Sequence, residues 1–157
     1  MLKLIEMKEN DVDKIFSNIW LGNFRTALSE KFIRDNNIKY IINATIEIPN
    51  LFNNIEYYNF SYRDFNVCGK NDMNDYFNET SEFIKKALEK NENILIHCKK
   101  GHNRSATIIM AFMIKYLKCT PLESKLHIQK FRKTALLKET CMTQAIINFY
   151  KSLNQIS

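Results

Sequence analysis

Glycine and proline are scarce in this chain, at three and two of its 157 residues. That scarcity excludes a collagen-like or low-complexity architecture and leaves no linker at which the chain would divide. No apolar run approaches the ~18 residues that a membrane-spanning helix requires, so no membrane insertion is expected. The opening MLKLIEMKENDVDK holds no sustained apolar stretch of the secretory kind, and the closing LNQIS holds no lipidation box. Paired cysteine spacing is missing too. The four cysteines stand at 68, 98, 119 and 141, which reads neither as a zinc ribbon nor as a disulfide framework. Free thiols in a reducing cytoplasmic or nuclear setting are the expectation. Acidic residues are outnumbered 17 to 23 by Lys and Arg, for a net charge of +6. The surface therefore leans towards anionic partners, without distinguishing nucleic acid, phosphoprotein or acidic lipid. With 45% hydrophobic and 25% charged residues, a single domain is expected over residues 1–157, its core running from about 15 to 152.

The apolar pattern alternates between short runs and helical periods. Phe16 to Leu21 reads as a strand ending at Gly22, and Ala27 to Asn36 as a helix with Leu28, Phe32 and Ile33 at helical spacing. Tyr40-Ile41-Ile42 is a short strand entering Asn43, and Ile55 to Tyr62 alternates like another. Asp75 to Lys90 has the period of an amphipathic helix, with Asp72 and Asp75 suited to its N-terminal dipole. Asn93 to Ile96 is continuously apolar, as in a strand covered on both faces. Ala106 to Leu117 is apolar nearly all round and belongs in the core, and amphipathic segments follow at about 122–132 and 141–153. The pattern predicts an α/β fold: a central, mostly parallel sheet flanked by helices on both faces.

Between the strand ending at His97 and the helix beginning near Ser105 lies CKKGHNR, residues 98–104. The chain must turn sharply there, and Gly101 supplies the freedom for a positive φ. A short loop feeding a helix N-terminus gathers unpaired N–H groups around a concavity, and the helix dipole adds positive potential. Lys99 to Asn103 then form an anion cup of phosphate size, closed by the planar donors of Arg104. Cys98 would lie on its floor. In such a field a thiol of pKa about 8.5 is drawn into the range of roughly 3.5–7.5. A thiolate facing a bound phosphoryl group is a nucleophile aimed at phosphorus. Separately, each residue has a plainer reading: Cys98 as a small buried hydrophobe, Lys99 and Lys100 as solvated charges. A zinc site of His97, Cys98 and His102 lacks a second ligand pair at usual spacing. The order of strand, cysteine, glycine, arginine and buried helix favours phosphate chemistry.

These residues, His97-Cys98-KKGHN-Arg104-Ser105, resemble the signature of the cysteine-dependent protein tyrosine phosphatases, and Ser105-Ala106-Thr107 resembles the dual-specificity branch. Similar stretches recur at IWLGN (19–23) with Ala27, IKYIINAT (38–45), Tyr76-Phe77, Phe83-Ile84 and TPLESKLHIQKFR (120–132). Together they span about residues 15 to 152. The resemblance implies a protein tyrosine phosphatase-like fold. It implies hydrolysis of phosphotyrosine and phosphoserine or phosphothreonine in a phosphorylated protein substrate, through a cysteinyl-phosphate intermediate. Cys98 would attack phosphorus, Arg104 and the loop amides hold its oxygens, Ser105 help to release the thiolate, and His97 support the cysteine. No metal, cofactor or obligatory nucleic acid is implied. Lys100 and Asn103 depart from the branch's usual residues. Asn before the arginine also occurs in phosphatases of RNA 5′ ends, and a lysine-rich loop in phosphoinositide phosphatases, so both remain alternatives. A non-catalytic phosphoprotein-binding module is a third.

The family also uses an aspartate upstream as general acid. Its usual interval before the cysteine lands on Asn66 or Val67, neither of which is an acid. Following the strand forward instead, FSYRD places Asp64 two residues after Tyr62, as the family pattern has it. Asp64 is the expected acid, with a lengthened loop behind it. Cys68 falls in that loop, where it would be placed to pair with Cys98 on oxidation.

Overall fold

The apolar run Ile94-Leu95-Ile96 forms the centre of the molecule. The computed structural model describes residues 5–59 and 73–154. In chain order its elements are β1 (Val12–Phe16), β2 (Ile19–Gly22), α1 (Phe24–Ala27), α2 (Glu30–Asp35), β3 (Ile38–Asn43) and β4 (Glu56–Asn59). Then come α3 (Asn74–Glu89), β5 (Asn93–His97), α4 (Arg104–Tyr116), α5 (Pro121–Phe131) and α6 (Cys141–Leu153). The five strands form one sheet in the order β1-β2-β5-β3-β4. β5 runs parallel to both its neighbours, β3 and β4 are parallel, and only β1 pairs antiparallel, with β2.

Alternation along the strands decides which side each residue serves. Ile94 and Ile96 of β5, Ile19 and Leu21 of β2, and Tyr40 and Ile42 of β3 face one cluster with α3, α4 and α6. Leu95, Trp20 and Ile41 face the other, against Ala27 of α1 and Ile33 of α2. Both faces of the sheet are covered, as the continuous apolar strands require. Helix α4 is buried at every position from Ser105 to Ile114, which explains its nearly uniform apolar composition. Among the described residues, no helix is long and apolar enough to cross a membrane.

Two elements differ from the sequence expectation. The strand expected over Phe16 to Leu21 is the hinge of a hairpin: Ser17 and Asn18 turn the chain between β1 and β2. The turn interrupts an otherwise apolar run with two polar residues that suit it. The helix expected over Ala27 to Asn36 is two short helices. Ser29 sits between them in an extended conformation, its hydroxyl accepting from Phe32 N at 3.1 Å, so it caps α2 rather than continuing α1. The strand expected over Ile55 to Tyr62 is seen as β4, Glu56–Asn59; its later residues lie outside the described ones.

Candidate active site

The parallel sheet delivers His97 at the end of β5, and α4 starts at Arg104. The loop between them folds into a cup lined by Cys98, Lys99, Lys100, His102, Asn103 and Arg104, with a volume of about 130 Å³. Cys98 is a free, buried thiol at the strand end; against the expectation of free thiols, Cys141 at the start of α6 is disulfide-bonded. The Cys98 Sγ lies 3.1 Å from Ser105 Oγ, and Gly101 N donates to it at 3.2 Å. Asn103 occupies the N-cap of α4 without a side-chain cap bond, so no side chain of the cap screens the first turn from the cup. Lys99 and Lys100 are exposed, His102, Asn103 and Arg104 half-buried. The structure thus brings together every loop residue singled out in the sequence, together with Ser105 and His97. Asp64, Cys68 and Asp72 lie outside the described residues, as do Asn66 and Val67. Asp75 is in the first turn of α3, where its charge suits the helix dipole.

Gly101 has φ of +73°, a conformation that a side chain would strain. A Cβ there would also come within 2.6 Å of the Gly22 carbonyl oxygen. The cup is therefore packed directly against the end of β2, backbone to backbone. Phe24 N donates to Lys99 O at 3.1 Å on that side, and Ala44 N donates to His97 O at 2.9 Å on the β3 side. Beneath the loop lies a residue that sequence reasoning treated only as the end of a helix. Arg132 is 2% exposed. Its Nε donates to Gly101 O at 2.7 Å and its Nη2 to Lys100 O at 3.2 Å. Its Nη1 donates to Asn10 O at 3.0 Å and to Asp13 Oδ2 at 2.7 Å. One guanidinium holds two loop carbonyls and ties them to β1. A lone arginine at the end of an amphipathic segment carries no sequence signal for this.

Two side chains near the thiol are held uncharged. Burial lowers the His97 pKa to about 4, an effect that Arg104 reinforces and the contact with the Cys98 carbonyl opposes. The ring nitrogen Nδ1 is 3.4 Å from that carbonyl oxygen. His97 is therefore a neutral imidazole packed beside Cys98. Tyr76 of α3 is buried and its pKa lies well above the usual phenol value. Burial is the main cause, followed by electrostatic contributions from Tyr58 and Cys98, with Arg104 acting the other way. Burial, then the positive charges of Arg132 and Lys100, lower the pKa of His102. Across the cup, Arg104 Nη2 faces Glu47 Oε1 at 3.8 Å.

Comparison with known proteins agrees with this arrangement. Residues 19–152 match the family model of the dual specificity phosphatase catalytic domain, and the chain belongs to that family, within the cysteine-dependent protein tyrosine phosphatase superfamily. It is 30% identical over 120 residues to Protein phosphatase Slingshot of Drosophila melanogaster, covering 76% of this chain and 11% of that protein. It is 26% identical over 140 residues to human Dual specificity protein phosphatase 9, covering 89% of this chain and 36% of that one. The chain thus spans about a tenth to a third of the length of these curated relatives. The crystal structure of DUSP15 shares the fold with a TM-score of 0.82 at 23% identity, over 93% of this chain and 91% of that one.

Proposed function

We propose that this chain is a phosphatase that removes phosphate from phosphotyrosine and from phosphoserine or phosphothreonine in proteins, acting as a single catalytic domain. The observation that supports it most is the Cys98 thiol on the floor of the cup, with Gly101 N and Ser105 Oγ directed at its sulfur and Arg104 opening α4. In this reading the Cys98 thiolate attacks phosphorus, an S–P bond forms and the P–O ester bond breaks. Arg104 and the amides of Lys99 to Asn103 bind the non-bridging oxygens, and do so most strongly as charge spreads over them in the transition state. Asp64 gives its proton to the departing oxygen. Water then attacks phosphorus and gives its proton to the Asp64 carboxylate, the S–P bond breaks, and the Ser105 hydroxyl donates to the sulfur as it regains its negative charge. His97, uncharged at neutral pH, positions the cysteine and takes no proton. The chemistry draws on no metal or cofactor.

The test uses an aryl phosphate and a phosphoserine peptide side by side. Cys98→Ser is expected to abolish turnover of both while keeping phosphate-site binding, and Arg104→Ala to lose both binding and rate. Asp64→Ala is expected to slow the phosphoserine peptide by about 10²–10⁴-fold and the nitrophenyl ester much less, because only an alkoxide needs a proton to leave. Substantial turnover by Cys98→Ser would end the covalent reading. Binding without turnover by the unaltered chain would make it a phosphoprotein-binding module instead.

A further inference from the structure

We propose that Glu47 is a specificity-determining residue, selecting phosphorylated peptides that carry a lysine or arginine beside the phosphoresidue. This rests on the phosphoprotein reading above. The Glu47 carboxylate lies 3.8 Å from Arg104 Nη2, close enough for attraction but too far for a hydrogen bond. A negative charge thus stands at the shoulder of the Arg104 guanidinium, the group that takes the phosphate in the reading above.

The segment that carries Glu47 is firmly built. Asn43, at the end of β3, accepts from Thr45 N at 2.9 Å and Thr45 Oγ1 at 2.6 Å, and donates to Ile48 O at 2.8 Å and Asn50 Oδ1 at 2.9 Å. Ile48 N donates to Thr45 Oγ1 at 3.2 Å, and Glu47 Oε2 accepts from Ile46 N at 3.2 Å. Ala44 N fastens this turn to the His97 carbonyl, one residue before the nucleophile. The turn that carries Glu47 is therefore held in place relative to the cup.

Strand order makes the surroundings of the cup polar. β5 lies between β2 and β3. From the β3 flank comes Glu47. On the β2 flank the loop is bonded to α1 at Lys99, next to Arg25, and Lys99 and Lys100 are exposed. Before substrate arrives, Glu47 has Arg104 as its counter-charge. When a phosphate dianion takes Arg104 into its own pair, Glu47 is left beside an anion. A cation on the neighbouring substrate residue restores the balance there, and an acidic residue worsens it. On the other flank the preference reverses. A bound peptide is thereby read for the direction of its charges and not only for their sum.

The experiment uses two phosphopeptides of identical composition and net charge. One carries two lysines before the phosphoresidue and two glutamates after it, and the other reverses them. Dissociation constants are measured in the Cys98→Ser background, alone and combined with Glu47→Gln or Glu47→Lys. Turnover of an aryl phosphate is followed separately in chains that keep Cys98. The Cys98→Ser protein is expected to bind one polarity roughly two- to fivefold more tightly, the scale of an exposed ion pair. Glu47→Gln should shrink that ratio and Glu47→Lys abolish or invert it. Equal affinity for the two peptides with Glu47 intact, or a ratio unmoved by both substitutions, overturns the proposal even if turnover stands. Lack of turnover with a Glu47-dependent ratio overturns the phosphatase reading and leaves this one in place.

Discussion

His97 shows how a single buried ring links the site to pH. In an unfolded chain it takes up a proton near the ordinary value of 6.5, whereas the native state resists until about 4. Between those values the unfolded chain binds more protons, so stability rises with pH across that window. The contribution is complete above about pH 6.5 and is lost as the pH falls towards 4, a span on the order of 3 kcal/mol. Urea unfolding at about pH 7 and about pH 4.5 measures it. The loss on acidification should be distinctly smaller in His97→Asn, since an amide does not titrate. At this scale the sequence was informative wherever chemistry is local. Cys98, Gly101, Arg104 and Ser105 lie within one turn and announce one another by spacing. Glu47, Tyr76 and Arg132 reach the same place from other elements, and nothing in their own neighbourhoods points there.

Among the elements, capping decides the boundaries. Thr120 accepts from Glu123 N at 3.1 Å, Glu123 Oε1 accepts from Thr120 N at 2.9 Å, and Pro121 opens α5. Thr120→Ala removes the first of these bonds and should cost about 1 kcal/mol of stability in chemical denaturation. A change well under half of that would mean the box adds little beyond the proline. A simpler cap, the Ser29 hydroxyl accepting one backbone N–H, divides α1 from α2 where the apolar spacing of Leu28, Phe32 and Ile33 suggested continuity. Spacing records which residues face the core; it does not record that a hydroxyl has turned to satisfy a backbone N–H. The hairpin turn at Ser17 and Asn18 was hidden for a related reason: the apolar residues on either side belong to two strands that share a face. β5 and α4 were legible because burial on all sides leaves a composition that solvent-facing segments do not have.

At the scale of the whole molecule, Arg132 is the joint between the cup and the edge of the sheet. Arg132→Ala leaves the Asp13 carboxylate without its partner and two loop carbonyls without a donor, and should destabilise the protein by about 3–5 kcal/mol. Arg132→Lys keeps a charge opposite Asp13 but not the planar fork that reaches Gly101 and Lys100. It should recover much of the stability, while kcat for an aryl phosphate stays at least about tenfold down, as expected of a displaced anion cup. Full recovery of both stability and kcat in the lysine variant would show that charge alone matters at this position.

That joint also bears on how the chain acquires its site. The bonds from Arg132 to Asn10 and Asp13 span 122 and 119 of the 157 residues, and the bond to Gly101 spans 31. Helices α3 and α4 close through contacts only a few residues apart. Contacts between the two ends must first overcome the entropy of a long closed loop. A refolding chain accordingly regains helix before it regains the cup, and a nascent chain leaving the ribosome cannot hold the loop from Cys98 to Arg104 until residue 132 has emerged.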